Sequence, residues 1–288
     1  MDSGNLFPVR GHSRKQIAEI SLKAMSLMEY DAMNLGWNDL AFDTEFLNKM
    51  RSRAAFPLIT SNVVYKDSGL PFGEKYIIKT VGNIRVGILG VMPLEPIGEV
   101  ADPHDDSCPE KQKNPEHAHD QEKHAPFPEQ LEIIPPEDAL KGLLPEVRKQ
   151  ADLVILLSQC GYKGTMLLVN KLDGIDLAIS GLKPTNKAEK SRVPIMQTAH
   201  IGKRLGYVKL TLNDAGQIIK TEDQMIRLNG FIPSEGRVIK LTSDDIGKKI
   251  REGELRKMEK EAKALLQLSP EKYYEMLMKE QTKTGGEK

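Results

Sequence analysis

Net charge, long apolar runs and cysteine are all scarce in this sequence. The 41 Lys and Arg residues are balanced by 41 Asp and Glu residues, so no net field draws nucleic acid or an anionic membrane to the chain. No apolar run reaches the roughly 18 residues that a membrane-spanning helix needs. The chain also does not open with the basic and apolar regions of a signal peptide. We therefore expect neither a nucleic-acid-binding protein nor a membrane span.

The two cysteines, Cys108 and Cys160, are too few for a disulfide-rich scaffold, and neither lies in a C-x-x-C motif. Cys160 directly follows a predicted buried strand. Three interpretations stay open for it: a reactive thiol, a disulfide with Cys108, and a small buried hydrophobic residue.

The remaining pattern is that of an α/β protein. Apolar residues at helical spacing predict helices over residues 14–28, 43–53 and 136–150. Aliphatic runs over 152–157 and 175–179 alternate with helices, which indicates a parallel sheet covered on both faces. Further strands are predicted over 30–35, 58–64, 193–199, 205–212 and 217–228, with a hairpin over 75–91.

Residues 93–132 interrupt this pattern with Pro, acidic residues, Lys and His, and they are predicted to be a long insertion in a domain that spans residues 1–235. Four of the six histidines lie there. Imidazole, thiol and carboxylate groups are suitable donors for Zn, Cu or Ni. The candidate ligands are His104, Asp105, Cys108, His117, His119 and His124. The alternative is a solvated loop that happens to be rich in histidine.

Residues 236–288 are predicted to be a charged helical extension or linker. Ser243 is a suitable N-cap for its first helix. The apolar residues on one side of that helix are Ile246, Ile250, Met258, Ala262 and Leu265. This side can dock on the chain's own domain, on a protein partner or in a short coiled coil, or the helix can be a spacer to a downstream module.

Several strings, in order, resemble the catalytic domain of bacterial 5'-nucleotidases, which are calcineurin-like metallophosphoesterases. Asp2-Ser3-Gly4-Asn5 resembles the D-x-G-D loop of that family. Residues 30–36 (YDAMNLG) resemble the run into the G-N-H-[ED] motif, and residues 56–63 (FPLITSNV) resemble a strand of the family. Residues 86–90 (VGILG) and 197–210 (QTAHIGKRLGYVKL) resemble later segments. The resemblance covers roughly residues 2–230.

The resemblance implies a four-layer α/β/β/α sandwich with two divalent metals about 3.5–4 Å apart on loops at the carboxyl ends of strands. It also implies export to a bacterial periplasm. The family's first D-x-H motif would lie before Met1, so the resemblance indicates an incomplete N-terminus.

The residues at the family's metal and catalytic positions are unsuited to that chemistry. Asn5 stands where a bridging aspartate is required, and Gln159 stands where the G-H-x-G histidine is required. Trp37, Leu182 and Pro184 stand at three other matched positions, and their indole, aliphatic and pyrrolidine groups offer no metal-binding lone pair. The matched positions are Asn5, Trp37, Asn38, Asp39, Gln159, Leu182 and Pro184. Of these, Asp39 and Gln159 keep oxygen atoms that are candidates for a metal.

Three functions follow as alternatives. The first is a non-catalytic scaffold or ligand-binding module with a degenerate metal site. The second is a phosphoesterase or nucleotidase that works with altered ligands, including Asp39, Gln159 and the histidine-rich insertion. The third is a redox or metal-handling protein built on Cys108, Cys160 and that insertion.

Overall fold

A computed structural model describes residues 1–8, 13–97, 127–182, 191–197, 204–213, 216–228 and 234–243. Within these ranges the helices are α1 (Arg14–Leu27), α2 (Thr44–Arg53), α3 (Pro136–Gln150), α4 (Gly161–Lys171) and α5 (Gly236–Ser243). The first six strands are β1 (Met33–Asn34), β2 (Leu58–Ile59), β3 (Val63–Tyr65), β4 (Tyr76–Val81), β5 (Ile84–Val91) and β6 (Leu131–Ile133). The other five are β7 (Leu153–Ser158), β8 (Leu177–Ser180), β9 (Ile195–Gln197), β10 (Arg204–Leu212) and β11 (Ile218–Arg227).

The centre of the fold is a five-stranded sheet in the order β4-β5-β7-β8-β9. β4 and β5 form an antiparallel hairpin, and β5, β7, β8 and β9 run parallel to one another. Every residue of β7 is buried, as expected for a strand of a parallel sheet that is covered on both faces.

One face of this sheet is covered by α3 and α4. Leu140, Leu144 and Val147 of α3 and Leu168 and Val169 of α4 share a core cluster with alternate residues of β5 and β7. α3 begins with Pro136 at its first position, where the missing N–H costs nothing, and has acidic residues in its first turn.

The opposite face is covered by a second β layer. Ala32 and Ile59, beside and within the β1–β2 pair, share a core cluster with Ile88 and Ile155 of the central sheet. Side chains of the antiparallel β10–β11 hairpin, including Val208, pack against the same cluster. α1 and α2 pack over β1 and β2 in a third cluster. The layers therefore run α/β/β/α, which confirms the fold class.

Three elements differ from the sequence prediction. The strand predicted over 58–64 is two short strands, because β2 pairs with β1 whereas β3 pairs with β6. β6 overlaps the end of the stretch 93–132 that was predicted to be a long insertion, since residues 131–133 find a pairing partner in β3. Ser243, predicted to be an N-cap, is itself helical: it is the last described residue of α5, which begins at Gly236.

Several predicted features lie outside the described residues. They include Pro184, most of the insertion with all six of its candidate metal ligands, and the chain from residue 244 onward. Among the described helices, none has the length and apolar character to cross a membrane.

Candidate functional site

The polar residues singled out in the sequence converge at the carboxyl edge of the central sheet. Gln159 and Cys160 follow β7, and Gly181 and Leu182 follow β8. The loop after β1 carries residues 36–39, and the N-terminal segment 2–7 lies against that loop. Parallel strands end at the same edge, so residues distant in sequence meet there.

Asp39 joins the N-terminal segment to the loop after β1. One carboxylate oxygen accepts the backbone N–H of Asn5 at 2.6 Å and that of Gly36 at 2.9 Å. The other oxygen accepts the backbone N–H of Phe7 at 2.8 Å. The side chain is completely buried. Burial raises the pKa of Asp39 to about 7, although the three amide hydrogen bonds favour its charged form. Both oxygens are therefore engaged within the protein.

Asn5 is folded onto the same loop. Its backbone has φ of 65°, and its side-chain oxygen accepts the backbone N–H of Asn38 at 3.0 Å. A Cβ on Gly36 would lie only 2.2 Å from that oxygen, so the packing requires glycine at position 36. The side-chain oxygen of Asn5, which stands at the position matched to the bridging aspartate, thus accepts a hydrogen bond from within the protein.

Gln159 ties the end of β7 to the N-terminal segment. Its Nε2 donates to the carbonyl oxygen of Gly4 at 2.7 Å, and its backbone N–H donates to the carbonyl oxygen of Val91 at 2.9 Å. Gly181 has room for no side chain, because a Cβ there would lie 2.3 Å from Nε2 of Gln159. The Oε1 atom of Gln159 is buried and has no hydrogen-bond partner in the described structure.

Trp37 and Leu182 bring apolar surface to this edge. The indole nitrogen of Trp37 donates to the carbonyl oxygen of Pro93 at 2.9 Å, and its ring centroid lies 5.1 Å from that of Phe127. Leu182 has φ of 68° and is half-buried. Neither side chain offers an atom that coordinates a metal.

Two buried asparagines organise this edge and were missed in the sequence. The amide nitrogen of Asn34 donates to the carbonyl oxygens of Ser3 and Val91, each at 3.0 Å. The amide of Asn62 accepts from the backbone N–H of Met92 and donates to its carbonyl oxygen. The available signal was an asparagine within or beside an apolar strand, a residue type that is seldom buried without paired hydrogen bonds.

Cys160 is a free, half-buried thiol at the start of α4. Burial raises the pKa of this thiol to about 11, so it is almost fully protonated at neutral pH. Its proposed partner Cys108 lies outside the described residues. What the structure shows at Cys160 is the environment of a buried cysteine and not that of an activated nucleophile.

The described residues do not fit a pair of divalent metals. Within the described ranges, no group of three or more His, Cys, Asp or Glu side chains is placed to hold a metal ion. The six histidines all fall outside those ranges. At the matched positions the carboxylate of Asp39 and the amide oxygen of Asn5 already accept hydrogen bonds from backbone N–H groups.

Sequence comparison relates this chain to 5'-nucleotidases. The chain is 24% identical over 250 residues to the 5'-nucleotidase of Bos taurus, a match that covers 74% of this chain and 38% of that protein. The chain is a homologue of the 5'-nucleotidases. It spans less than half the length of this curated relative. No protein-family profile matches the chain.

Solved structures of 5'-nucleotidases and calcineurin-like phosphoesterases share the fold. A 5'-nucleotidase precursor from Thermus thermophilus superposes with a TM-score of 0.64 at 16% identity, covering 92% of this chain and 50% of that one. The calcineurin-like phosphoesterase YfkN from Bacillus subtilis gives a TM-score of 0.58 at 20% identity, covering 85% and 74%. The chain therefore shares the fold of these 5'-nucleotidases and calcineurin-like phosphoesterases.

Proposed function

We propose that this domain is a non-catalytic member of the 5'-nucleotidase relatives, retained as a scaffold or ligand-binding module. The observation that carries the proposal is the environment of Asp39. It is the one carboxylate at the matched positions, and three backbone N–H groups occupy its two oxygens inside a fully buried site. The two oxygens have about four acceptor sites, and three are filled, so a metal would find at most one open site in a fully buried position. Displacing any of the hydrogen bonds would leave a buried amide unpaired, at a cost of roughly 1–3 kcal/mol.

The other matched positions support the same proposal. Asn5 and Gln159 hold the loops together through their own hydrogen bonds, with Asn38 and Gly4 as partners. These contacts link three segments of the carboxyl edge to one another. A two-metal phosphoesterase needs the opposite arrangement, in which donor atoms point into an open cleft.

Two atoms favour the second candidate, a phosphoesterase with altered ligands. Oε1 of Gln159, at a matched position, and Oδ1 of Asn34, at the same edge, are buried and have no hydrogen-bond partner in the described structure. Buried polar atoms are nearly always paired, so an unpartnered amide oxygen is a candidate contact for a ligand or cation.

Enzyme assays on the purified full chain separate the two candidates. Release of phosphate from AMP and p-nitrophenyl phosphate is measured with Mn²⁺ or Zn²⁺ added, next to a metal analysis of the same protein. We expect no turnover above that of a mock preparation and less than one tightly held divalent ion per chain.

The decisive variant is Gln159→Ala, with the exposed Gln130→Ala as its matched control. Metal-dependent hydrolysis that Gln159→Ala abolishes and Gln130→Ala preserves, in proteins with unchanged circular dichroism, would overturn the non-catalytic proposal. Ligand binding is followed separately, as thermal stabilisation by AMP and by inorganic phosphate. Stabilisation without turnover supports a binding module, and its absence from both probes favours a scaffold.

A periplasmic location belongs to the same proposal and is supported by the resemblance to bacterial 5'-nucleotidases. It is tested by expressing the natural gene in its host and fractionating the cells. Recovery of the protein with cytoplasmic markers would contradict it.

A further inference from the structure

β4 is an edge strand of the central sheet. Within the described structure it pairs with β5 on one side, and no strand of the sheet lies on its other side. Its first three side chains are already packed. Tyr76 and Ile78 lie against the cluster that contains α3, and Ile77 lies against the cluster shared with the second β layer. What this edge offers to a partner is therefore mainly its backbone.

The hairpin turn determines which backbone groups point outward. Gly82, with φ of 59°, and Asn83 form the two-residue loop between β4 and β5. In such a turn the carbonyl oxygen of Val81 accepts the N–H of Ile84. Because hydrogen-bonded and non-hydrogen-bonded pairs alternate along an antiparallel ladder, Val81 and every second residue before it direct their N–H and C=O groups towards β5. The groups that point away from β5 belong to Tyr76, Ile78 and Thr80.

A second copy of β4 is complementary to this edge. An antiparallel copy related by a two-fold axis at Ile78 places Ile78 opposite itself and Tyr76 opposite Thr80. The outward N–H and C=O groups of the two copies then face one another. Each pair can exchange two N–H···O hydrogen bonds, as the hydrogen-bonded pairs of any antiparallel sheet do.

The lysines of this segment select the register. With the axis at Ile78, Lys79 lies opposite the apolar Ile77 of the second copy. An axis one residue closer to the hairpin loop would place the two Lys79 side chains directly opposite each other. An axis one residue further from the loop would place Lys79 opposite Lys75. Like charges directly opposite destabilise a strand pair, so both shifts are disfavoured.

Two further observations favour pairing at this edge. Lysine on an edge strand commonly repels a partner strand, but Lys79 forms an ion pair with Asp31, which compensates its charge. Val81 is 59% exposed, and in this register it lies opposite Lys75 of the second copy, whose aliphatic stem can cover it. We propose that the outer edge of β4 is a dimer interface, where a second copy of this chain continues the central sheet across a two-fold axis.

The occupant is the chain itself because one strand supplies both halves of the match. The same three residues provide the donors and the acceptors, and the same two lysines fall opposite aliphatic side chains on both sides of the axis. An interface of a single strand pair lies at the low end of the size range of specific interfaces, so we expect a weak dimer that dissociates on dilution.

Sedimentation equilibrium of the full chain, across micromolar to millimolar concentrations, tests the proposal. The mass of the wild type should rise with concentration from the 32.2 kDa of one chain towards twice that value. Val81→Lys sets a like charge opposite Lys75 of the second copy, and Val81→Glu sets an opposite charge there. Because the interface contains this pair twice, we expect the dissociation constant to rise at least about threefold in Val81→Lys and to fall at least about threefold in Val81→Glu.

The control is Leu167→Lys, which adds the same charge to α4 at a leucine that is 64% exposed. α4 packs on β8 and β9, at the other end of the central sheet, so the dissociation constant should not change. A monomer at every concentration would overturn the proposal. So would a dimer that the two Val81 variants leave unchanged or shift in the same direction, since its interface would lie on another surface.

A backbone variant provides an independent test. Thr80→Pro removes an N–H that points away from β5, a position at which an edge strand tolerates proline. We expect the dimer to be lost while the circular dichroism of the monomer stays that of the wild type. A dimer of wild-type affinity in a folded Thr80→Pro protein would contradict the proposal. If this variant unfolds, the opposite effects of the two Val81 variants decide the outcome.

Discussion

The carboxyl edge of the central sheet and the β10–β11 hairpin use polar residues in opposite ways. At the carboxyl edge Asp39, Asn34 and Gln159 are buried, and their hydrogen bonds link segments more than thirty residues apart. In the hairpin the charged side chains are exposed, as in the ion pair between Lys220 and Glu222. The comparison teaches that the polar side chains of the carboxyl edge connect distant segments, whereas those of the hairpin face solvent.

The largest expected effect comes from removing the centre of the carboxyl-edge network. Asp39→Ala leaves three buried N–H groups without an acceptor, so we expect the free energy of unfolding to fall by at least about 3 kcal/mol. Urea unfolding measures the change. Asp173→Ala is the matched control, because the Asp173 side chain is 99% exposed. Equal stabilities of the two variants would show that Asp39 does not hold the loops together.

The same carboxylate should make stability depend on pH. Burial raises the pKa of folded Asp39 from 3.8 to about 7, so the folded state binds this proton more tightly than the unfolded chain does. Its contribution to stability is complete below pH 4 and is lost as the pH rises to 7. The free energy of unfolding of the wild type should therefore fall by on the order of a few kcal/mol between pH 4 and 7, and Asp39→Asn should remove this fall.

Urea unfolding of wild type and Asp39→Asn across this range measures the slope. Asp152→Asn serves as the control. The hydrogen bonds from Arg85 lower the pKa of Asp152 to about 2, so its contribution changes only below pH 4. A slope in the Asp39→Asn protein equal to that of the wild type would contradict the assignment.

A smaller effect is expected from filling the space beside Asn5. In Gly36→Ala the new Cβ would lie 2.2 Å from the side-chain oxygen of Asn5, and the displacement should cost about 1–3 kcal/mol. Gly142→Ala, in the middle of α3 with nothing within 4 Å, should instead stabilise the protein by about 0.5–1 kcal/mol. We expect the melting temperature to fall in Gly36→Ala and to rise in Gly142→Ala. An unchanged melting temperature in Gly36→Ala would indicate that the packing around Asn5 leaves room for a methyl group.

The smallest effect is expected in the hairpin. Glu222→Gln removes the partner of Lys220 in a pair whose side chains are 62% and 47% exposed. Exposed pairs contribute little, so the free energy of unfolding should change by less than about 0.5 kcal/mol. A loss above 1 kcal/mol would contradict the expectation that this exposed pair contributes little.

Much of the fold was predictable because it depends on local pattern. The aliphatic run that predicted a strand over 152–157 and the helical spacing over 136–150 lead directly to β7 and α3. The prediction failed where pairing is non-local. β3 and β6 lie far apart in sequence, and the three residues 131–133 have no pattern of their own that marks a strand. Serine is a common N-cap residue, but Ser243 lies within α5, a helix that begins at Gly236 and packs on α1.

The sequence alone determined the α/β class, the likeness to 5'-nucleotidases and the residue types at the matched positions, since these depend on composition and order along the chain. Only the tertiary structure decided what those residues do. Whether the oxygens of Asp39 face a cleft or the backbone amides of Asn5 and Phe7 depends on how two distant segments meet. The partners of a hydrogen bond depend on which residues lie close together in space, and the order of residues along the chain does not specify this.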